Sequence, residues 1–244
     1  MDSIFISKLM AEFLGTALMI ILGNGAVANA ELKNTKGEEA GWLNIALGFG
    51  AGIGIAVMIF DTFSANFNPA MTLTQAVFGN LPWSSVLPYF GAQMLGAIAG
   101  QIAVYLLYKP YFDVTTNTDS VFAPFATTDQ AGSRFNGAIN EFTGTFTLII
   151  GALAITTYMN SPISRGLALA VLVAGVIMSL GGATGPALNP VRDLGPRIVH
   201  ALLPLRFKGS SHWQYAWVPV VFPLLGGLSA GWLWFTFFAP YANK

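Results

Sequence analysis

The chain has 244 residues, of which 54% are hydrophobic and only 9% are charged, whereas about a quarter of the residues in a soluble domain are charged. Its 11 basic and 11 acidic residues cancel, so there is no net positive field to hold nucleic acid, and we expect no nucleic-acid partner. With no cysteine and only two histidines, the composition offers no basis for a metal site, a cofactor or a catalytic triad, and it favours a polytopic membrane protein that is not an enzyme.

Uncharged stretches long enough to cross a bilayer follow one another along the chain. A hydrocarbon core about 30 Å thick needs about 20 helical residues, and the first span is expected to open at Ile4. The run 62–108 is too long for one crossing, so we expect a short apolar piece followed by a full span that starts near Trp83. Three prolines divide this run: Pro69, Pro82 and Pro88. The other uncharged runs complete six full spans, of which the last covers about 217–238.

Two hydrophilic segments are longer than the other loops, namely residues 31–39 and 109–136. Neither has the length or the low complexity of a soluble domain or a disordered tail, so we expect residues 1–244 to form a single transmembrane domain. An even number of spans places both termini on one side of the membrane. The positive-inside rule does not identify that side, because most of the loop lysines and arginines fall on the opposite face.

Two short motifs occur twice in the chain. Glu12–Thr16 (EFLGT) recurs as Glu141–Thr145 (EFTGT), and Asn68–Ala70 (NPA) recurs as Asn189–Val191 (NPV). The chain therefore divides into two copies of one unit, each in the order span, span, Asn-Pro segment, span. Because three crossings are an odd number, the second copy enters the membrane from the opposite face, which is an inverted repeat.

The repeat bounds and the Asn-Pro segments together predict half-helices. The first copy covers about residues 4–108 and the second about 137–239. Asparagine is a favoured helix N-cap and proline is favoured at the first helical position. The segment 68–78 spans about 16 Å as a helix, which is half of a hydrocarbon core, and 189–202 is similar. Inversion makes the two half-helices meet near the midplane, where the irregular backbone that precedes them is tolerated only if it lines a cavity.

Such a meeting point has a specific chemistry. Each helix N-terminus carries about half a positive charge, which repels cations. The amides of Asn68 and Asn189 can donate hydrogen bonds to a passing oxygen, and a water that accepts from both cannot also accept from its neighbour, so a proton wire is interrupted. The alternative is that each Asn-Pro pair only marks a turn in a loop and has no role in a pore. Two copies at matching repeat positions favour a pore.

The sequence resembles the aquaporin, or major intrinsic protein, family over essentially its whole length. The second motif stands as GPALNPVRDLGP at 185–196, and Asp193 directly after Arg192, followed by Gly-Pro, resembles the glycerol facilitator branch. The resemblance implies an all-α membrane protein with six transmembrane helices plus two half-helices. It also implies a homotetramer with one pore per subunit, a location in the plasma membrane and cytoplasmic termini.

The resemblance further implies a selectivity filter at four positions. These are Phe49, Ile177, Pro186 and Arg192. The arginine would donate to substrate oxygens and add to cation exclusion. Phe49 lies one residue closer to Asn68 than the family spacing implies. Glycerol facilitators usually carry glycine and an aromatic residue at the two middle positions, so this filter has one donor and three apolar walls, which suits a small molecule with its own carbon face.

Other residues are expected to support the pore. The resemblance implies that Glu12 and Glu141 hold the two lead-in loops by accepting their hydrogen bonds, and a proton relay is the alternative. It implies that Asp193 supports the loop behind the pore. Val191 replaces the usual alanine where the half-helices are expected to touch. Both histidines are expected at the membrane interface, and four tryptophans are expected to anchor there: Trp213, Trp217, Trp232 and Trp234.

These features predict a passive channel for glycerol and similar small uncharged solutes, possibly with water, that excludes ions and protons. Its expected partners are small neutral solutes (glycerol, dihydroxyacetone and water) and the lipid bilayer. Dihydroxyacetone, lactic acid or urea could instead be the main solute. A proton-coupled secondary transporter also uses inverted repeats and broken helices, and a non-conducting scaffold is the third alternative.

Overall fold

The computed structural model describes residues 3–242, which are helical wherever their secondary structure is regular. Six long apolar helices are each able to cross a membrane. These are α1 (Ser3–Glu31), α2 (Gly41–Phe60), α4 (Trp83–Val114), α6 (Arg134–Tyr158), α7 (Pro162–Leu180) and α9 (Val218–Leu233). Helix α9 continues as π-helical and 3-10 turns to Tyr241, so the sixth span covers Val218–Tyr241. Three shorter helices lie between them, namely α3 (Pro69–Val77), α5 (Thr118–Phe122) and α8 (Pro190–Leu202). The predicted all-α fold with six spans and two half-helices is confirmed.

Helix packing follows the internal repeat. In the first half, α1 packs against α2 and α4, and in the second half the equivalent α6 packs against α7 and α9. The two halves join where α2 packs on α7. Each half-helix also packs against the last span of the other half, α3 on α9 and α8 on α4. Because each half-helix contacts a span of the other half as well as its own, both half-helices are held in the centre of the bundle.

Close contacts between spans occur at equivalent glycines. A Cβ atom on Gly96 of α4 would lie 2.2 Å from the carbonyl oxygen of Phe13 on α1. A Cβ atom on Gly226 of α9 would lie 2.4 Å from the carbonyl oxygen of Phe142 on α6. Only glycine permits this approach of two helix backbones, which is typical of packed membrane helices.

One span boundary differs from the sequence-based expectation. The third span, α4, does not stop near residue 108 but continues to Val114, where Lys109 and Asp113 form an i,i+4 ion pair at 2.7 Å that supports the polar extension. The loop that follows contains the short helix α5. Pro88 does not interrupt the span and lies within α4, whereas Pro82 caps its start with an extended backbone.

Large apolar side chains cover the outside of the bundle, as expected for surfaces that face lipid. Two of the residues expected at the membrane interface have side chains that are buried inside the protein. Trp234 is only 5% exposed and packs edge-on against Tyr158 with ring centroids 6.1 Å apart. His200 is fully buried, because it lies on the inner face of α8 between Phe122 and Phe125. A residue near the end of a helix can thus face the bundle rather than the lipid surface.

Candidate functional site

Both half-helices begin at a capping asparagine. Asn68 has an extended backbone, and its side-chain oxygen accepts from the N–H of Ala70 at 2.9 Å. Asn189 has a similar backbone and accepts from the N–H groups of Val191 at 3.1 Å and Arg192 at 3.4 Å. The caps fix both amide groups at the tips of the half-helices, as expected for asparagine N-caps.

The two asparagines are also joined across the repeats. The amide nitrogen of Asn68 donates to the carbonyl of Leu188 at 2.8 Å, and that of Asn189 donates to the carbonyl of Phe67 at 2.8 Å. Each asparagine therefore binds the residue that precedes the other asparagine. The reciprocal bonds place both helix N-termini at one point inside the bundle, and each amide keeps a second hydrogen.

Glu12 holds the lead-in loop of the first repeat. Its carboxylate is fully buried and accepts from the backbone N–H groups of Asn66 at 2.9 Å and Phe67 at 2.8 Å. Gln93 adds a side-chain amide at 2.8 Å and Ser64 adds a hydroxyl. Charge-assisted hydrogen bonds of this kind are about twice as strong as neutral ones, so the buried charge is compensated.

Glu141 does the same for the second repeat. It is fully buried and accepts from the N–H groups of Ala187 and Leu188, both at 2.9 Å, and from the hydroxyl of Thr184 at 3.1 Å. Across the described residues, the hydrogen bonds to Glu12 and Glu141 come from backbone N–H groups and neutral side chains. This geometry favours loop support over a proton relay.

The four expected filter residues line one cavity. It lies on the side of the bundle away from the termini, has a volume of about 450 Å³ and is bordered by Phe49, Ile177, Pro186 and Arg192. The guanidinium carbon of Arg192 lies 4.6 Å from the ring centroid of Phe49. The neighbouring Gly48 packs against α1. The structure therefore brings Phe49 to Arg192 despite the shorter spacing to the first Asn-Pro motif.

Few hydrogen bonds hold the guanidinium of Arg192. Its side chain is 4% exposed, and one terminal nitrogen donates to the carbonyl of Phe125 at 3.3 Å. Its Nε has no partner among the described residues. A buried donor without a partner costs free energy, and the residue borders the cavity that the expected filter residues line.

Trp42 was missed by the sequence analysis, although it borders the same cavity. Its indole N–H donates to the carbonyl of Ile177 at 2.9 Å. The ring also lies against Gly181, where an added Cβ would be 2.5 Å from the ring and 2.7 Å from Pro186. Trp42 thus supports two of the apolar filter walls. Its position next to Gly41 at the start of an apolar run was the only signal in the sequence.

Asp193 lies behind the cavity rather than in its lining. It is fully buried, binds Arg197 through both carboxylate oxygens at 2.8 and 2.9 Å, and accepts from the N–H and hydroxyl of Thr127 at 2.8 and 2.7 Å. Arg197 in turn donates to the carbonyls of Ser211 and His212 at 2.7 and 3.1 Å. The pair ties α8 to the loop between α5 and α6 and to the loop that follows α8. Arg197 was also missed, although its i,i+4 spacing from Asp193 was visible.

Val191 does not insert between the half-helices. Its buried side chain packs with Met19 and Ile20 of α1 and Ala97 of α4. The larger side chain is therefore accommodated by the spans, and the reciprocal asparagine contacts are kept.

A second, smaller cavity of about 70 Å³ lies on the side of the termini. Asn66 and Asn68 border it, together with an ion pair between Asp61 and Arg165 at 2.8 Å. Arg165 also donates to the carbonyl of Met159 at 2.8 Å. The ion pair was missed by the sequence analysis, because nothing local links the end of α2 with the start of α7.

Six spans with two opposed, asparagine-capped half-helices define the aquaporin fold, and proteins of this class are channels, not enzymes. The chain matches the family model for the major intrinsic protein over residues 2–234, and it belongs to this family.

Individual relatives agree with this assignment. The chain is 48% identical to the glycerol uptake facilitator protein-like 5 of Lactiplantibacillus plantarum, covering 95% of this chain and 97% of that one. It is 43% identical to the glycerol uptake facilitator protein of Streptococcus pneumoniae, with coverage of 92% and 96%. Among solved structures, the aquaglyceroporin from Plasmodium falciparum is similar, with a TM-score of 0.86 at 25% identity over 98% of this chain and 99% of that one.

Proposed function

We propose that this chain is a passive channel for glycerol and similar small uncharged solutes, that water is a candidate second permeant, and that the channel excludes ions and protons. One observation carries the proposal: the tips of two half-helices meet through reciprocal bonds of Asn68 and Asn189, with one cavity bordered by Arg192 and another bordered by Asn68. The names of the relatives, glycerol uptake facilitators, support glycerol as the solute.

In this proposal the two asparagine amides orient each solute at the centre. One hydrogen of each amide is used in the bond to the opposite repeat, which leaves a second hydrogen on each. The amide nitrogen of Asn189 also lies 3.9 Å from the sulfur of Met19, a weak acceptor that a solute oxygen can replace. The backbone N–H groups and the dipoles of α3 and α8 point their positive ends at the same place, which opposes cations. Pro69, Ala70, Pro190 and Val191 complete the two motifs as the first residues of these half-helices.

Selection takes place at the larger cavity. Arg192 supplies the donor, while Phe49, Ile177 and Pro186 supply apolar walls. A polyol can direct its hydroxyl groups at the arginine and its carbon face at the walls, whereas a lone water loses hydration without an equivalent apolar contact. Glu12, Glu141 and Asp193 then act as supporting residues that keep the lead-in loops and α8 in place.

The proposal includes an assembly and an orientation. We expect one channel domain over 1–244, built from repeats at 4–108 and 137–239, which assembles as a homotetramer with one pore per subunit. We expect it in the plasma membrane with both termini in the cytoplasm. The apolar outer faces of the bundle support membrane insertion and contacts between subunits. Cross-linking in membranes tests the tetramer, and protease access to terminal tags in sealed cells tests the orientation.

The experiment that tests the function is a permeability panel in proteoliposomes, followed by light scattering. It compares water, glycerol, dihydroxyacetone, urea and lactic acid with empty liposomes. Glycerol or dihydroxyacetone is expected to pass faster than water per molecule, and the rates are expected to be unchanged when a protonophore collapses the proton gradient. Faster water would overturn the polyol assignment alone. Uptake that needs the proton gradient would instead favour a coupled transporter.

A further inference from the structure

Two polar side chains lie opposite each other in the interior of two apolar spans. Asn24 of α1 and Gln101 of α4 are both fully buried. The amide nitrogen of Asn24 donates to the side-chain oxygen of Gln101 at 2.6 Å. Polar residues inside membrane helices are costly and are therefore a reason to look for a function.

The stability of the α1–α4 contact does not account for this pair. The side-chain oxygen of Asn24 and the amide nitrogen of Gln101 have no hydrogen-bond partner among the described residues. A buried donor and a buried acceptor without partners both destabilise a fold, and apolar residues of similar shape avoid that cost. Two apolar side chains would hold these helices together at least as well.

A second contact of Asn24 connects the pair to the proposed filter. Its amide nitrogen also lies 3.4 Å from the carbonyl oxygen of Phe125, in the loop between α5 and α6. The same carbonyl accepts from a terminal nitrogen of Arg192 at 3.3 Å. Phe125 is itself fully buried. One carbonyl oxygen is therefore shared by the arginine of the filter and an asparagine of α1.

We propose that Asn24 is a positioning residue for the filter and that Gln101 holds it in place. In this arrangement the side chain of Gln101 fixes the Asn24 amide, the amide fixes the Phe125 carbonyl, and the carbonyl fixes the guanidinium of Arg192 over the ring of Phe49. The inference rests on the proposed channel function and adds two residues to it that neither line the larger cavity nor touch the solute.

Loss of the Asn24 contact is expected to change the selectivity of the channel rather than the stability of its fold. The Phe125 carbonyl lies in a loop, and among the described residues the side chains that bind it are those of Asn24 and Arg192. Arg192 has few other contacts, so a shift of this carbonyl would let the guanidinium move relative to Phe49. Filters distinguish solutes by the exact placement of donors, and loss of a positioning contact reduces that distinction.

The test measures the ratio of glycerol to water permeability in proteoliposomes for Asn24→Leu and Gln101→Leu. Asn24→Leu is expected to change the ratio by about threefold or more, and Gln101→Leu is expected to change it in the same direction by less. The matched control is Asn44→Leu, which removes an amide of α2 that donates to α1 at the carbonyl of Ala26, 3.1 Å away, with no contact to Phe125. This control is expected to keep the ratio of the unmodified protein.

A double-mutant cycle separates positioning from general damage. If Asn24 acts through Arg192, Asn24→Leu changes the ratio in the natural background and has no further effect when Arg192→Val is present. Equal changes in both backgrounds, or no change for either Asn24→Leu or Gln101→Leu, would overturn the inference. If the Asn24→Leu protein does not insert into the membrane, the same cycle is measured with Gln101→Leu and Arg192→Val. Its outcome then decides whether the inference holds. An unmodified protein that passes no solute faster than empty liposomes would overturn the proposed function as well, which distinguishes the two failures.

Discussion

Phe67 and Leu188 occupy equivalent places in the two repeats, and both have a left-handed backbone, with φ of 50° and 54°. Residues other than glycine rarely adopt this region, at a cost of about 1–3 kcal/mol each. In return, each carbonyl reaches the amide of the opposite asparagine at 2.8 Å. Because the N–H of Phe67 donates to Glu12 and that of Leu188 donates to Glu141, the buried carboxylates hold the strained backbone in the conformation that the central contact requires.

The first prediction therefore concerns Glu141. Its two carboxylate oxygens accept from Ala187 and Leu188 separately, whereas a glutamine would present an NH₂ group to one of these donors. Glu141→Gln is expected to lower the free energy of unfolding by about 1–3 kcal/mol and to reduce glycerol flux. Thermal unfolding in detergent checks the first effect. Glu39→Gln, at an exposed glutamate, is the control, and an unfolding temperature for Glu141→Gln equal to that of the control would contradict the prediction.

The second prediction concerns the charge of Arg192. Arg192→Val removes a cation from the wall of the larger cavity, so proton and cation leakage through reconstituted vesicles is expected to rise roughly tenfold or more. A unit charge at about 6 Å contributes roughly 3 kcal/mol at an effective dielectric constant of about 20, which exceeds what a tenfold change needs. A pH-sensitive dye trapped inside the vesicles measures the leak. Arg206→Val, at an exposed arginine in the loop after α8, is the control and should leave the leak unchanged.

The central geometry could be predicted from sequence because its signals are local or repeated. Asn-Pro at the start of a short apolar segment specifies a capped half-helix, and the recurrence of Asn68–Ala70 as Asn189–Val191 specifies inversion. The lengths of the uncharged runs, with prolines dividing the longest one, predicted the six spans. Each of these inferences depends on residues that are close in the chain or on a simple count of crossings.

Contacts between distant spans could not be predicted in this way. Trp42 supports Ile177 across 135 residues, and Arg165 reaches Asp61 across 104 residues. Which side of a span faces the bundle depends on its rotation, which composition does not fix. The same reason explains why Trp234 turned out to be buried.

A pH dependence is expected from His212, in the loop after α8. Burial lowers the pKa of its imidazole, the charge of Arg197 lowers it further, and Asp119 opposes both. The folded state thus binds the proton less readily than the unfolded chain. The stability from this residue is present above the unfolded value of about 6.5 and is lost as the pH falls below it.

His212→Asn is expected to reduce this acid sensitivity. Asparagine tolerates the left-handed backbone of this position, where φ is 49°. The test measures the unfolding temperature of both proteins between pH 7.5 and pH 5 and compares how far each one falls. The unmodified protein should lose more stability over this range than the variant, and parallel curves would show that His212 does not contribute.

The hydrogen bond of Trp42 gives a prediction about selectivity. Trp42→Phe keeps an aromatic ring beside Gly181 but removes the N–H that donates to Ile177. Loss of one such bond costs about 1 kcal/mol, so the fold is expected to persist while the wall at Ile177 becomes less fixed. We expect a smaller ratio of glycerol to urea permeability. Trp213→Phe, at an exposed tryptophan, is the control, and an equal ratio in the two variants would contradict the role of the indole.

The last prediction uses two neighbouring glycines that differ only in what surrounds them. A methyl group at Gly181 would lie 2.5 Å from the ring of Trp42 and 2.7 Å from Pro186, whereas one at Gly182 would meet nothing within 4 Å. Overpacking of this kind costs about 1–3 kcal/mol when neighbours have to move, and here the neighbours are a filter wall and its support. Gly181→Ala is therefore expected to lower the unfolding temperature and to slow glycerol more than water. Gly182→Ala is the control for stability only, because Gly182 borders the larger cavity, and it is expected to leave the unfolding temperature unchanged. Equal unfolding temperatures for the two variants would show that the wall at Pro186 does not depend on this contact.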